Sequence, residues 1–166
     1  MVIAIGGVSR AGKTTLANRL KNQVIGKSVA ILCQDDFVQE LPKIPKIQDR
    51  VDWEHPDSID HEVFRKAIIE ATKKFDIVIV EGLLVYYDQK TAALYDKKIF
   101  VEIDYGTFLY RKERDHRWGI EPAWYIIHVW ESFFKYNNID FDDSILVVSG
   151  KVGFIDSVIN AYLGFE

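Results

Sequence analysis

Cysteine is almost missing from this sequence. Cys33 stands alone among 166 residues, so no intrachain disulfide can form and a cysteine-rich zinc site is excluded. A single thiol beside an apolar run suits a reducing cytosol. Long hydrophobic runs are missing too: no stretch approaches the roughly 18 apolar residues that a membrane span needs. The opening Met1-Val2-Ile3-Ala4-Ile5 has no charged n-region and turns straight into glycine, unlike a signal peptide. Basic residues are not in excess. Lys and Arg number 21 against 25 Asp and Glu, a net charge of −4, which argues against a broad phosphate-neutralising surface for nucleic acid. The expected protein is cytoplasmic, with neither a membrane nor a nucleic acid as partner.

What is present is ordinary globular material, 48% hydrophobic and 28% charged. A chain of this length fits one domain, 1–166, with a real core. Short β-branched runs alternate with longer helical patterns. Val2–Ile5, Val29–Cys33, Ile77–Val80, Ile99–Ile103 and Ile145–Val148 read as strands covered on both faces. Helical spacing is predicted over Thr14–Val24, after an Asp57 or Ser58 cap with Ile59, Val63, Ala67 and Ala71 along one face and Phe64 and Ile68 beside them, and at about 106–117, 123–137 and 154–163. Strands alternating with helices imply an α/β fold with a parallel sheet. Residues 38–57 hold Pro42, Pro45 and Pro56 and no sustained periodicity. They read as a long loop, which in a compact domain is usually functional.

Gly7-Val8-Ser9-Arg10-Ala11-Gly12-Lys13-Thr14 matches G-x-x-x-x-G-K-[ST], with a buried strand before it and an amphipathic helix after it. Glycine turns aim backbone N–H groups inward, and the helix N-terminus adds its positive end. Lys13 supplies a point charge for phosphates, and the Thr14 hydroxyl can ligate Mg²⁺. Gly7, Ser9, Ala11, Gly12, Lys13, Thr14 and Thr15 are the expected ATP contacts. The guanine-reading N-K-x-D is absent, which argues against a switch GTPase. In a parallel sheet, ligands gather beyond the carboxyl ends of the strands. Asp35, Asp36 and Glu81 sit at two such ends, where one acid can take a proton from an attacking hydroxyl and another can hold Mg²⁺. Isolated acids there usually only start turns or cap helices; three facing one phosphate loop point to chemistry.

The phosphate loop, Gln34-Asp35-Asp36-Phe37, Asp52-Trp53-Glu54-His55-Pro56-Asp57-Ser58-Ile59-Asp60, Glu81-Gly82-Leu83-Leu84, the arginine-rich 111–117 and His128-Val129-Trp130 follow the order of nicotinamide riboside kinases. The chain resembles that family, close relatives of uridine kinases, over nearly its whole length. The resemblance implies a P-loop NTPase fold of the nucleoside/nucleotide kinase-like type, three layers with a five-stranded parallel sheet flanked by helices. It also implies a substrate loop at about 38–57 and a lid at about 111–123. Asp35 would be the general base toward the ribose 5′-hydroxyl, with Asp36 beside it, and Glu81 would sit near Mg²⁺. Trp53 would stack on the base, and Glu54, where relatives usually carry Asp, would bind the ribose hydroxyls.

Arg111, Arg114 and Arg117 step by three along the predicted lid helix and so share one broad face. The resemblance implies that lid arginines meet phosphates and ribose: Arg114 toward both ligands and Arg117 toward the nucleoside. Trp118 is the candidate base-facing aromatic, and Lys151 falls on the loop expected beside adenine. The stripe Trp124, Ile127, Trp130, Phe134 reads as packing. The expected reaction is phosphorylation of a ribonucleoside by Mg²⁺ and ATP, with nicotinamide riboside as first choice of acceptor. A uridine/cytidine kinase and a non-catalytic ATP-binding regulator are the alternatives. Oligomeric state is left open.

Overall fold

The computed structural model describes residues 1–117, 119–139, 141–142 and 144–165. Five of the apolar runs form one parallel sheet: β1 (Val2–Gly6), β2 (Val29–Cys33), β5 (Ile77–Gly82), β6 (Lys97–Glu102) and β7 (Ile145–Ser149), in the order β2-β5-β1-β6-β7. Every neighbouring pair runs parallel. β1 and β5 are buried throughout, as expected of the inner strands of a covered sheet, whereas β2 at one edge is half-buried along its whole length.

Chain direction assigns the layers. From β1 the chain moves two places to β2 through α1 (Lys13–Gln23), then back one place to β5 through α2 (His61–Thr72). Both crossovers are right-handed by rule, so opposite lateral moves put α1 and α2 on opposite faces. The next moves, through α3 (Gln89–Ala92) to β6 and through α4 (Tyr105–Glu113) and α5 (Ala123–Tyr136) to β7, continue in the direction of the α2 crossover and share its face. The last helix, α6 (Asp156–Leu163), is tied to α1 by Arg19–Asp156 at 2.5 Å. The result is three layers with a core of Ile3, Ile5, Leu16, Phe64, Ile79, Ile99, Phe108 and Phe133. The chain fills the sheet on one side of β1 and then on the other, so the carboxyl end of β1 opens at the switch point where ligands bind.

Three local expectations need correction. Residues 38–57 are not structureless: single 3₁₀ turns at Leu41–Lys43 and Pro56–Ser58 flank a short hairpin of β3 (Lys46–Ile47) and β4 (Arg50–Val51). The prolines that hide periodicity here also start the turns. The cap of α2 is neither Asp57 nor Ser58 but Asp60, whose carboxylate accepts the Val63 N–H at 3.0 Å. The buried face accordingly shifts to Phe64, Ile68 and Ala71 and leaves Val63 half exposed. On α5 the buried face is Tyr125, Ile126, Val129, Ser132 and Phe133, so the stripe Trp124, Ile127, Trp130, Phe134 is its outer flank. Of that stripe, Trp124 and Trp130 still pack on the core, Trp130 against Tyr105, Phe108 and Phe134, whereas Ile127 and Phe134 are exposed. Among the described residues no helix is long and apolar enough to cross a membrane.

Candidate active site

The phosphate loop leaves β1 at a point with no room for a side chain. A Cβ on Gly7, at φ +150°, would stand 2.4 Å from the Val101 carbonyl oxygen. Across the loop, a Cβ on Gly150 would stand 2.1 Å from the Ala11 carbonyl oxygen, so the turn after β7 seats directly on the phosphate loop. Lys13 Nζ donates to the Val8 carbonyl at 3.1 Å, folded back across the loop's own cradle. Burial holds the Lys13 pKa below its ordinary value, and Glu81, Asp35 and Glu54 pull the other way. Those three carboxylates lie near enough for their charges to act on the ammonium.

Asp35 and Asp36 lie in a 3₁₀ turn, Gln34–Asp36, at the carboxyl end of β2. Glu81 sits opposite Cys33 in the parallel register. Between the two strand ends, the buried Gln34 accepts the Leu84 N–H at 2.9 Å and fills the space a Gly82 side chain would need. This tie fixes both acid-bearing turns, and its only sequence trace is a Gln preceding paired acids. Asp35 is open to solvent at the rim of a crowded recess. Crowding raises its pKa, Lys13 lowers it, and Glu81 and Asp36 raise it again, the balance expected of an acid that must take up a proton. The Cys33 thiol is pushed up to about 12 by burial and by Glu81 and Asp35, which excludes a thiolate nucleophile at neutral pH.

Thr14 Oγ1 donates to Glu81 Oε1 at 2.9 Å. Magnesium prefers one or two protein oxygens completed by water and phosphate, and this pair, beside Asp35, fits it. Among the described residues no group of three or more His, Cys, Asp or Glu is placed to hold a metal unaided.

The hairpin and its second turn form a strap that buries two of its acids, Asp52 and Glu54. Asp52 Oδ1 accepts from His128 Nε2 of α5 at 2.8 Å and from the Glu54 N–H at 3.2 Å. Ser58 donates its hydroxyl to the Trp53 carbonyl at 2.9 Å. Glu54 is buried, and burial pushes its pKa up to about 8; Lys112 opposes this, Asp52 and Asp35 reinforce it, and Lys13 opposes it weakly. Its Oε2 has no hydrogen-bond partner, so a buried carboxyl oxygen is left for a ligand. The Trp53 ring is 45% exposed and therefore free to stack rather than anchor a core. Behind the strap, Lys112 Nζ and Glu121 Oε2 meet at 2.8 Å with side chains 8% and 10% exposed. The contact is an ion pair off the hydrogen-bond direction, because the same Oε2 makes no directed hydrogen bond.

The arginines of the lid do not share one helical face, because α4 ends at Glu113. Arg111 ties the lid to the phosphate loop, donating to the Arg10 carbonyl at 3.0 Å and the Gly150 carbonyl at 2.8 Å. Arg114 lies 3.7 Å over the Tyr110 ring and donates to the Tyr110 carbonyl. Arg117 makes a two-pronged pair with Asp115, 2.7 Å at each prong, and Asp115 also meets Arg10 at 3.6 Å. Asp115 is held well below the usual carboxylate range, first by the Arg117 hydrogen bonds. Of these arginines, Arg117 is the one whose charge reaches Asp35. Trp118 lies outside the described residues. Lys151 is exposed and paired with Asp104 at 2.8 Å, which holds Asp104 at about 2. Sequence reasoning assigned no role to Arg10, Lys112 or Glu121; each is recognised only by its partner.

No family model matches the chain. Solved structures nonetheless share its fold: a sugar kinase from Janibacter at TM-score 0.64 and 16% identity, covering 99% of this chain and 92% of that one, and a possible uridine kinase from Bacillus stearothermophilus at TM-score 0.57 and 18% identity, covering 88% of each. The fold class is the one these structures share. Among curated proteins, the uridine kinase of Mycoplasma genitalium is 31% identical over 147 residues, 72% of this chain and 68% of that protein. The uridine kinase of Leuconostoc citreum is 32% identical over 144 residues, 69% and 68%. The uridine kinase of Chlamydia pneumoniae is 29% identical over 130 residues, and there the match spans 63% of this chain and only 58% of the relative. The chain belongs to the uridine kinase family.

Proposed function

We propose that this chain transfers the γ-phosphoryl group of ATP to the ribose 5′-hydroxyl of a pyrimidine ribonucleoside, uridine or cytidine. The observation that carries the reading is the convergence of Lys13, Asp35 and the Thr14–Glu81 pair on one recess at the carboxyl ends of β1, β2 and β5. Asp35 accepts the hydroxyl proton as the oxygen attacks phosphorus in line; the bond to the β-phosphate oxygen breaks and ADP leaves. Lys13 turns from the Val8 carbonyl to the phosphates, and the backbone amides from Gly7 to Thr15 line the same anion site. When bound at Thr14 and Glu81, Mg²⁺ offsets phosphate charge. Glu54 takes the ribose hydroxyls, Trp53 the base face, and Arg117, oriented by Asp115, the lid side of the transfer point. Arg114 and Lys151 are engaged elsewhere and reach ATP only by leaving Tyr110 and Asp104.

The motif order alone favours nicotinamide riboside. The names of the relatives shift the preference to uridine. One feature keeps the pyridinium nucleoside as a second reading: the open Trp53 face beside the acids Asp52 and Glu54, where a cationic ring gains attraction. The test is coupled ADP release with Mg-ATP against uridine, cytidine, purine nucleosides and nicotinamide riboside. Turnover with uridine or cytidine is expected. Turnover with nicotinamide riboside alone moves the assignment to the second reading, and ATP binding without any acceptor-dependent ADP release leaves a nucleotide-binding regulator.

A further inference from the structure

His128 has no place in the chemistry above, yet it makes a 2.8 Å contact to a buried carboxylate 76 residues away in sequence. A carboxylate can only accept, so Nε2 carries the proton and donates to Asp52. The same Asp52 oxygen accepts the Glu54 N–H at 3.2 Å. One carboxylate therefore joins α5 to the backbone of Glu54, whose buried Oε2 has no hydrogen-bond partner. Ser132 does not complete a nucleophilic relay. Its Oγ is 3.2 Å from Nδ1 and 3.3 Å from Nε2, nearly equidistant from both nitrogens, which is packing against the ring rather than a bond along one lone pair. Elsewhere the strap rests on α5 through weaker contacts: Arg50 over the Tyr125 ring at 5.5 Å and His55 edge-on to Tyr136 at 5.3 Å. Those contacts hold the strap near the helix.

We propose that His128 is a positioning residue for the acceptor nucleoside: by donating to Asp52 it fixes the Glu54 backbone, and with it the carboxyl that meets the ribose. This rests on the nucleoside kinase reading above. Because α5 begins just after the lid, the tie also makes strap and lid parts of one support.

The experiment compares H128L, which fills the space but cannot donate, with H128Q, whose amide nitrogen reaches the position of Nε2. The double variant D52N/H128L breaks the tie without leaving a buried charge unpaired. Two readouts are taken: amide hydrogen exchange over residues 50–58 of the free protein, and separate KM values for nucleoside and ATP. H128L and the double variant are expected to lose strap protection and to raise nucleoside KM about 10- to 100-fold, the cost of losing a hydrogen bond to a charged group. ATP KM should stay within about twofold, because the donor side makes no contact with His128. H128Q should restore most of both. Unchanged exchange in H128L, or equal rises in the two KM values, overturns the proposal. A wild-type protein inert toward every nucleoside overturns the reading beneath it instead, and is seen before any variant is made.

Discussion

On the proposed reading, the two sides of the cleft would hold their ligands by different means. On the donor side the groups are consecutive in sequence: the loop from Gly7 to Thr14 would offer backbone groups, and the charge of its Lys13 is opposed by Glu81, Asp35 and Glu54. On the acceptor side almost nothing is consecutive. Glu54 comes from the strap, Asp52 is held by His128 from α5, and Lys112 of α4 pairs with Glu121. Phosphate is the same in every nucleotide, so a fixed backbone cradle serves it. Nucleosides differ, and a side recognising them from separate elements can be retuned one contact at a time. The difference has a cost: the acceptor side buries charges that depend on distant partners, and each partner is a point of failure.

The sharpest separation of the two sides comes from Asp35 and Lys13. Asp35→Asn should lower kcat by about 10²–10⁴-fold, since the amide keeps the shape but cannot take the proton, while ATP affinity measured by titration calorimetry stays near wild type. Lys13→Ala should lower kcat by about 10²–10³-fold, as loss of one charge-stabilising donor does, and should weaken ATP binding as well. Wild-type kcat in Asp35→Asn at saturating substrate would pass the base role to Asp36.

A smaller effect tests whether acceptor-side charges depend on one another. Lys112→Met leaves Glu121 buried without its partner, which should cost about 3–5 kcal/mol, or about 10 °C in Tm for a chain of this size. Lys112→Met combined with Glu121→Leu removes both charges and should restore most of that Tm. A double variant no more stable than the single one would mean that the pair is not an isolated unit.

Glu54 gives the next test, through pH. Its folded pKa, about 8, lies above the ordinary 4.5, so between those values the folded protein holds a proton that the unfolded chain has released. Stability therefore falls as pH climbs from about 4.5 to about 8 and levels off beyond, where both states are ionised. Glu54→Gln cannot ionise and escapes that loss. Its Tm should match wild type near pH 4.5 and exceed it at pH 8 by several degrees, at about 2–4 °C per kcal/mol. A Tm difference independent of pH would show that Glu54 is already ionised in the folded protein.

The same contrast decided what was legible beforehand. Lys13, Thr14 and the five strands were readable because a contiguous loop and continuous apolar runs carry their own signal, and Asp35 and Glu81 followed from their place at strand ends. The α2 cap was misplaced because Asp57, Ser58 and Asp60 are all good caps and only tertiary packing selects Asp60. The lid arginines were read as one face because spacing by three suits a helix, but the helix stops at Glu113 and each arginine then follows a different partner. His128 was visible as part of a motif and silent about its role, since nothing near it in sequence points to Asp52. Local signals report local structure, and contacts 76 residues apart leave none.

The mildest test concerns Trp53 and the choice of nucleoside. Its ring is 45% exposed, and the strap is held at this point through the backbone, by the Ser58 hydroxyl on the Trp53 carbonyl. Trp53→Leu should therefore leave Tm nearly unchanged. What it removes is the aromatic face, whose quadrupole attracts a cation by about 0.5–2 kcal/mol, more as the contact is desolvated. Uridine is neutral and loses only stacking area, part of which Leu replaces. Nicotinamide riboside carries a fixed positive charge and loses that attraction too. With both substrates measured on both proteins, kcat/KM for nicotinamide riboside should fall by about 2- to 30-fold, the same energy written as a ratio, and uridine should fall by less. Equal losses would reduce Trp53 to an apolar shelf, and a drop in Tm would make it part of the packing after all. Either outcome would move base recognition away from the strap and toward the lid side of the cleft, where Arg117 and Asp115 stand.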